Sequence, residues 1–117
     1  MFNIFKRNGK FEIVKNSAGE FYFRLKSSNG QVILLSESYK TLQGCQKGIN
    51  SVRENSKFEQ NFDIKISKNN QRYFVLKAVN GEIIGTSEMY QSITSTINGI
   101  QSVQSVAPSA NENDLTS

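Results

Sequence analysis

Residues 11–53 and 62–104 superpose at a shift of 51 residues without a gap, and sixteen of the paired positions are identical. Phe11 falls on Phe62, Phe23 on Phe74, Tyr39 on Tyr90, Gly48 on Gly99 and Val52 on Val103. A repeat of this size is one supersecondary unit that cannot bury its apolar face alone, so the two copies must share a core. This constraint governs every other reading of the chain.

Each copy opens with strand periodicity. Phe11 and Ile13 alternate with polar neighbours, as Phe62 and Ile64 do. In the run Glu20 to Lys26, Phe21, Phe23 and Leu25 share one face, and Tyr22, Arg24 and Lys26 share the other. The second copy sets Arg72, Phe74 and Leu76 against Tyr73, Val75 and Lys77. Asn29-Gly30 and Asn80-Gly81 follow at the same place; Asn-Gly tolerates positive φ at both central positions of a tight hairpin turn. Val32 to Leu35, and Ile83 to Thr86, return as third strands.

The remaining segment of each copy is helical. Leu42, Cys45, Ile49 and Val52 form an apolar stripe spaced three and four apart, matched by Ile93, Ile97, Ile100 and Val103. Thr41 and Ser92 occupy the N-cap positions. Gly48 and Gly99 lie inside these helices, where Gly costs about 1 kcal/mol relative to Ala. Close packing of the helix backbone onto a strand or the other helix would offset that cost; shared ancestry without constraint is the alternative.

The pattern gives an α+β fold: two tandem βββα repeats sharing one antiparallel sheet, with both helices on one face. The expected division is an N-terminal extension at 1–9, repeat 1 at 10–56, repeat 2 at 57–106 and a disordered tail at 107–117, one pseudo-two-fold domain overall. Pairing the repeats in one sheet leaves fewer open edges. The chain is expected to be a monomer with pseudo-dimeric halves.

The residues Phe11-Glu12-Ile13, Phe21 to Lys26, Asn29-Gly30, Ser36-Glu37 with Tyr39, and Gly48-Ile49 with Ser51-Val52 resemble the YegP-like bacterial family. That family is a domain of unknown function, found as tandem copies or as single copies that dimerise. The resemblance spans about residues 9 to 106. It implies an α+β fold in which two units share one sheet, leaves open an exchange of terminal elements, and implies no activity. The second copy departs from the first where Thr96 replaces Cys45 and Arg72 replaces Phe21.

The chain contains no His, which removes the commonest general base, proton shuttle and metal ligand. Its one cysteine, Cys45, cannot build a zinc site or an internal disulfide. Cys45 falls on the apolar helix stripe and reads as a buried structural residue. Asn29-Gly30 is a hairpin turn, not a phosphate loop. No catalytic residue, cofactor or metal is therefore expected. No apolar run is long enough to span a membrane, and Met1 to Arg7 is too short and polar for a signal-peptide core. A cytoplasmic location is expected.

Two features carry a functional flavour. Glu37 and Glu88 recur just before the helices, either as symmetry-related acid and base or as charges favouring the helix N-termini. Tyr22, Arg24, Lys26, Tyr73 and Lys77 form a possible binding face on the strands, where aromatics beside bases could stack nucleobases and hold phosphates. Routine packing of Tyr against long Lys stems on a solvated sheet is the plainer reading. The net charge of +4 is ordinary solubility charge. The sequence thus favours a non-enzymatic binding or interaction module of unspecified partner. Weak nucleic-acid binding through the Tyr/Lys face is the alternative.

Overall fold

In the computed structural model, residues 9–116 are described; the extension expected at 1–9 lies, apart from Gly9, outside them. The alternating runs form strands β1 (Lys10–Lys15), β2 (Phe21–Lys26) and β3 (Val32–Leu35), followed by helix α1 (Leu42–Asn55). The second copy repeats them as β4 (Phe62–Ile66), β5 (Arg72–Lys77), β6 (Ile83–Thr86) and α2 (Ile93–Val106). One sheet runs in the order β4-β5-β6-β3-β2-β1, with a further strand beyond β1. The repeats join where β3 meets β6 antiparallel, with Leu35 opposite Thr86. α1 packs on β2 and reaches β5 and β6 of the other repeat, while α2 packs on β5 and reaches β3. Both helices therefore cover one face.

Phe11, Ile13, Phe23 and Leu25 are fully buried beneath them, as are Phe74 and Leu76. This is the register that the alternation predicts. The turns are built differently from the expected Asn-Gly hairpin. Only the glycine takes positive φ, +88° at Gly30 and +87° at Gly81. Gly30 N–H donates to the Ser27 carbonyl at 2.9 Å, and β2–β3 pairing shifts register between Leu25 and Lys26. The loop is thus a longer turn ending in a bulge. Asn29 contributes its side chain instead, accepting from Gln31 N–H at 3.1 Å; Asn80 does the same for Glu82 at 3.0 Å.

Thr41 and Ser92 cap the helices as expected, accepting from Gly44 N–H at 2.9 Å and Ser95 N–H at 3.0 Å. The second stripe differs from its expectation. Thr96, Gly99, Ile100 and Val103 are buried, whereas Ile93 and Ile97 are exposed. Thr96 fills the place of Cys45, and its hydroxyl is satisfied by donating to the Ser92 carbonyl at 2.7 Å.

The interior glycines pack against side chains rather than against a strand backbone or the other helix. A Cβ on Gly48 would overlap the Tyr39 hydroxyl, lie 2.7 Å from Tyr39 Cζ and lie 3.1 Å from a Phe23 ring carbon. Gly99 meets Tyr90 and Phe74 in the same way.

Residues 107–116 correct the expectation of a disordered tail. A 3-10 turn at Ala107–Ser109 leads into β7 (Asn111–Asp114), which pairs parallel with β1. The shared sheet is therefore mixed and seven-stranded, not purely antiparallel. Ala107 and Ala110 are core residues. Arg53 of α1 donates to the Ala110 carbonyl at 2.8 Å and pairs with Glu112 at 3.6 Å. Small and polar residues hid this strand, because its hold on β1 is made by backbone bonds and by one distant arginine.

Two outcomes follow for stability. Gly48→Ala gains about 1 kcal/mol of helix propensity yet should lower stability by about 1–3 kcal/mol net, because the Tyr39 and Phe23 rings must move. Denaturant unfolding measures the sign. Truncation after Val106 should cost about 2–3 kcal/mol, a fall of roughly 10 °C in Tm by calorimetry.

Candidate functional site

Away from the helices, β2 presents Tyr22, Arg24 and Lys26, and β5 presents Tyr73, Val75 and Lys77. Strands β3 and β6 separate the two sets, a distance of about 14 Å at three strand spacings. The five expected residues therefore share a face but do not converge. Their cations are already engaged. Arg24 Nε donates to Glu12 Oε1 at 2.7 Å, and Lys26 Nζ lies 3.2 Å from the same oxygen. Lys77 Nζ lies 2.7 Å from Asp63. A phosphate-binding face needs cations free to exchange their counterions, and these three hold carboxylates of the adjoining strand. Glu12 and Asp63 escape an identity search, yet they are acids at equivalent positions, opposite Arg24 and Val75 and diagonal to the repeated Lys26 and Lys77. That pattern was legible in the repeat alignment.

The chain's own carboxylates set the acidic titration of this face. The Arg24 hydrogen bond holds the Glu12 carboxyl below its ordinary 4.5, against the opposing effect of burial and with further help from Lys26. Asp63 is likewise lowered, chiefly by Lys77.

Between the two sets, a groove of about 540 Å³ runs over the seam of β3 and β6. Val32, Leu35, Ile83 and Thr86 form its walls, and no helix residue lines it. Leu35 and Ile83 are 45% and 43% exposed. The lining comes in repeat-related pairs that include Ser36 with Ser87 and Glu37 with Glu88. One pair is sharply unequal in size: a Cβ on Gly85 would lie 2.6 Å from the side chain of Leu34, its repeat counterpart. The axis has room for one leucine, so the second copy carries glycine.

Ser36 Oγ accepts from Phe23 N–H at 2.8 Å and donates to the Glu37 carbonyl at 2.7 Å. Ser87 repeats this with Phe74 and Glu88 at 2.9 and 2.7 Å. Both hydroxyls serve the backbone, and they aim the following glutamates. Glu37 and Glu88 precede the N-caps Thr41 and Ser92 and lie outside the first turn of either helix. They line the groove together instead. Glu88 accepts from Gln31 Nε2 at 2.6 Å across the repeat boundary. The counterpart of Gln31 is Glu82, so the Glu37 end is the more acidic. Burial raises the Tyr39 phenol above 10, and the nearby Glu37 and Glu82 add to the rise. Gln31 and Gly85 were missed from sequence because their meaning lies in the departure from identity between the copies.

Cys45 is buried, and burial, with the Glu112 and Asp114 charges, pushes its thiol up to about 11. Such a thiol is not a nucleophile at neutral pH. Among the described residues, no group of three or more His, Cys, Asp or Glu is placed to hold a metal. No helix among them is long and apolar enough to cross a membrane.

Comparison with known proteins gives a consistent picture. The model of a family described as a domain of unknown function (DUF1508) matches residues 16–63 and again 67–114. The two matches begin 51 residues apart, the spacing of the internal repeat, and the second includes β7. The UPF0339 protein YegP of Escherichia coli is 44% identical over 108 residues, covering 92% of this chain and 98% of that protein. A UPF0339 protein of Photorhabdus laumondii is 44% identical over 108 residues, covering 92% and 95%. The solution NMR structure of a UPF0339 protein from Shewanella oneidensis superposes with a TM-score of 0.87 at 44% identity, over 93% of this chain and 92% of that one. That of yegP from E. coli, described as a protein of unknown function, gives 0.88 at 43% identity, over 93% and 94%.

Glu12→Gln should lower stability at neutral pH by about 1.5–3 kcal/mol, the range for a hydrogen bond to a charged partner. Because the folded carboxyl is depressed, its contribution is complete above about 4.5 and is lost as pH falls through the lower folded value. The variant's stability should therefore fall less steeply with acid than the parent's, as urea midpoints between pH 2 and 7 (about the span of that titration) would show.

Proposed function

The chain belongs to the DUF1508 family, and from that premise we propose that it is a non-enzymatic binding module whose ligand seat is the groove between its repeats. The observation that carries this reading is the groove's composition. Its walls are mainly apolar, and among the described residues its only charged lining residues are Glu37 and Glu88, one from each repeat. Its volume of about 540 Å³ falls within the range of small-molecule sites, about 300–1,000 Å³.

An apolar trough with a carboxylate from each repeat suits an elongated ligand with a hydrocarbon middle and a cation at each end, such as an α,ω-diamine. The methylenes would cover Leu35 and Ile83, and each ammonium would meet one glutamate. The absence of a reactive set supports binding over catalysis: Ser36 and Ser87 hydroxyls are committed to the backbone, and the Cys45 thiol is held protonated. The single unpaired cysteine suits the reducing cytoplasm as the place of action. Engagement of Arg24, Lys26 and Lys77 by Glu12 and Asp63 weighs against nucleic acid as the ligand.

NMR titration with 1,8-diaminooctane should shift the amides of Leu35, Ile83 and Thr86, while 1,8-octanediol at the same concentration should not. Glu37→Gln or Glu88→Gln should weaken the diamine by about 10-fold or more, the value of one charge-assisted hydrogen bond. Shifts that avoid the groove, or affinity unchanged in both variants, would sink the reading.

A further inference from the structure

The two ends of the sheet are finished differently. At one end β7 closes off β1 with a four-residue strand, Asn111–Asp114, that is polar, acidic and exposed throughout. At the other end, among the described residues, β4 pairs with β5 alone. Its inward-register residues are left bare: Ile64 is 39% exposed and Ile66 64%. Beside them, on the helix side, Ile97 is 42% exposed. A groove of about 260 Å³ lies there, lined by Phe62, Ile64, Ile97 and Ile100, with Glu59 and two glutamines at its polar side. An uncovered edge with an apolar border is a template for another strand. Among the described residues, this edge stays open.

We infer that β4 pairs antiparallel with β4 of a second copy, across a two-fold axis through Ile64. The sequence Phe62-Asp63-Ile64-Lys65-Ile66 is self-complementary in that register. Ile64 faces its own copy and Phe62 faces Ile66, both on the helix side. On the other face each Asp63 stands opposite the partner's Lys65. Opposite charges directly across a strand pair are favourable, and like charges are not. Such an isologous contact closes after two copies.

The rival occupant, β7 of a second copy, lacks its anchor here. Arg53 holds β7 to β1 through the Ala110 carbonyl and Glu112. The residue of α2 at the equivalent position is Gln104, which carries no charge. With β7 kept on β1, a β7-to-β4 contact would also be heterologous and would build rings or filaments rather than a closed dimer.

Sedimentation equilibrium of the full chain, in a concentration series, tests this. A strand-edge contact is small, so the dimer should form with a Kd on the order of 10–100 μM. Ile66→Lys should abolish it while leaving the Tm measured well below that Kd unchanged, because Ile66 is mostly exposed within one copy. Lys65→Asp alone and Asp63→Lys alone should each weaken self-association by at least about 10-fold through like-charge contacts. An equimolar mixture of those two variants should associate again as a heterodimer, a rescue that no folding defect can imitate. A monomer at every concentration reached would overturn the inference. So would filaments, or a dimer indifferent to Ile66→Lys and to both charge reversals.

Discussion

In each repeat a tyrosine ring lies flat beside a core phenylalanine and beneath a helix glycine. Tyr39 stacks on Phe23 with centroids 6.3 Å apart and planes at 15°, and Tyr90 stacks on Phe74 at 6.2 Å and 12°. The tyrosine backbone is fixed independently. Tyr39 exchanges both backbone hydrogen bonds with Phe21, at 2.6 and 2.7 Å, and Tyr90 does so with Arg72. The ring therefore cannot retreat, and the helix can dock only where it lacks a Cβ. This contact sets the height of each helix above the sheet. It explains why glycine is kept at Gly48 and Gly99 despite its cost within a helix. With the helix so placed, Cys45, Ile49 and Val52 reach the phenylalanines, and α1 can extend over β5 and β6 of the other repeat.

The second constraint is the seam. Two copies of one unit related by a pseudo-two-fold axis bring identical positions together, and identical large side chains cannot occupy the same space. Leu34 and Gly85 resolve this conflict by dividing one volume between them. The same axis places Glu37 and Glu88 along one groove and sets Gln31 against Glu88. Departures from symmetry therefore concentrate where the copies touch. At the outer strands they serve a different end: Arg53 anchors β7 beside β1, whereas Gln104 leaves β4 unaccompanied.

Much of this architecture is legible in the sequence because burial and pleat share a period. A strand whose alternate residues are Phe and Leu has one energetically acceptable orientation, since a slip by one residue would expose them all. Thr41 and Ser92 are recognisable because an N-cap needs only a short hydroxyl at one position. The 51-residue repeat, the strand faces, the helices and their caps were determined in this way, each by local patterning. The Tyr/Lys face was legible as a face for the same reason. Its engagement was not, because Glu12 and Asp63 act from neighbouring strands.

What the tertiary structure alone decided depends on residues distant in sequence. β7 carries no strand signature in Asn111–Asp114; it is a strand because β1 offers a free edge and Arg53, 57 residues before Ala110, fastens it. Ile93 and Ile97 satisfy helical spacing as well as the buried residues do, yet they are exposed, because α2 docks through Thr96, Gly99, Ile100 and Val103, the counterparts of the residues that α1 buries. The groove exists because two short strands meet through the single residue pair Leu35 and Thr86. A sequence records each residue's affinity for burial and for local backbone geometry. It does not record which surface will arrive opposite, and that pairing settled the seam, the seventh strand and the open edge.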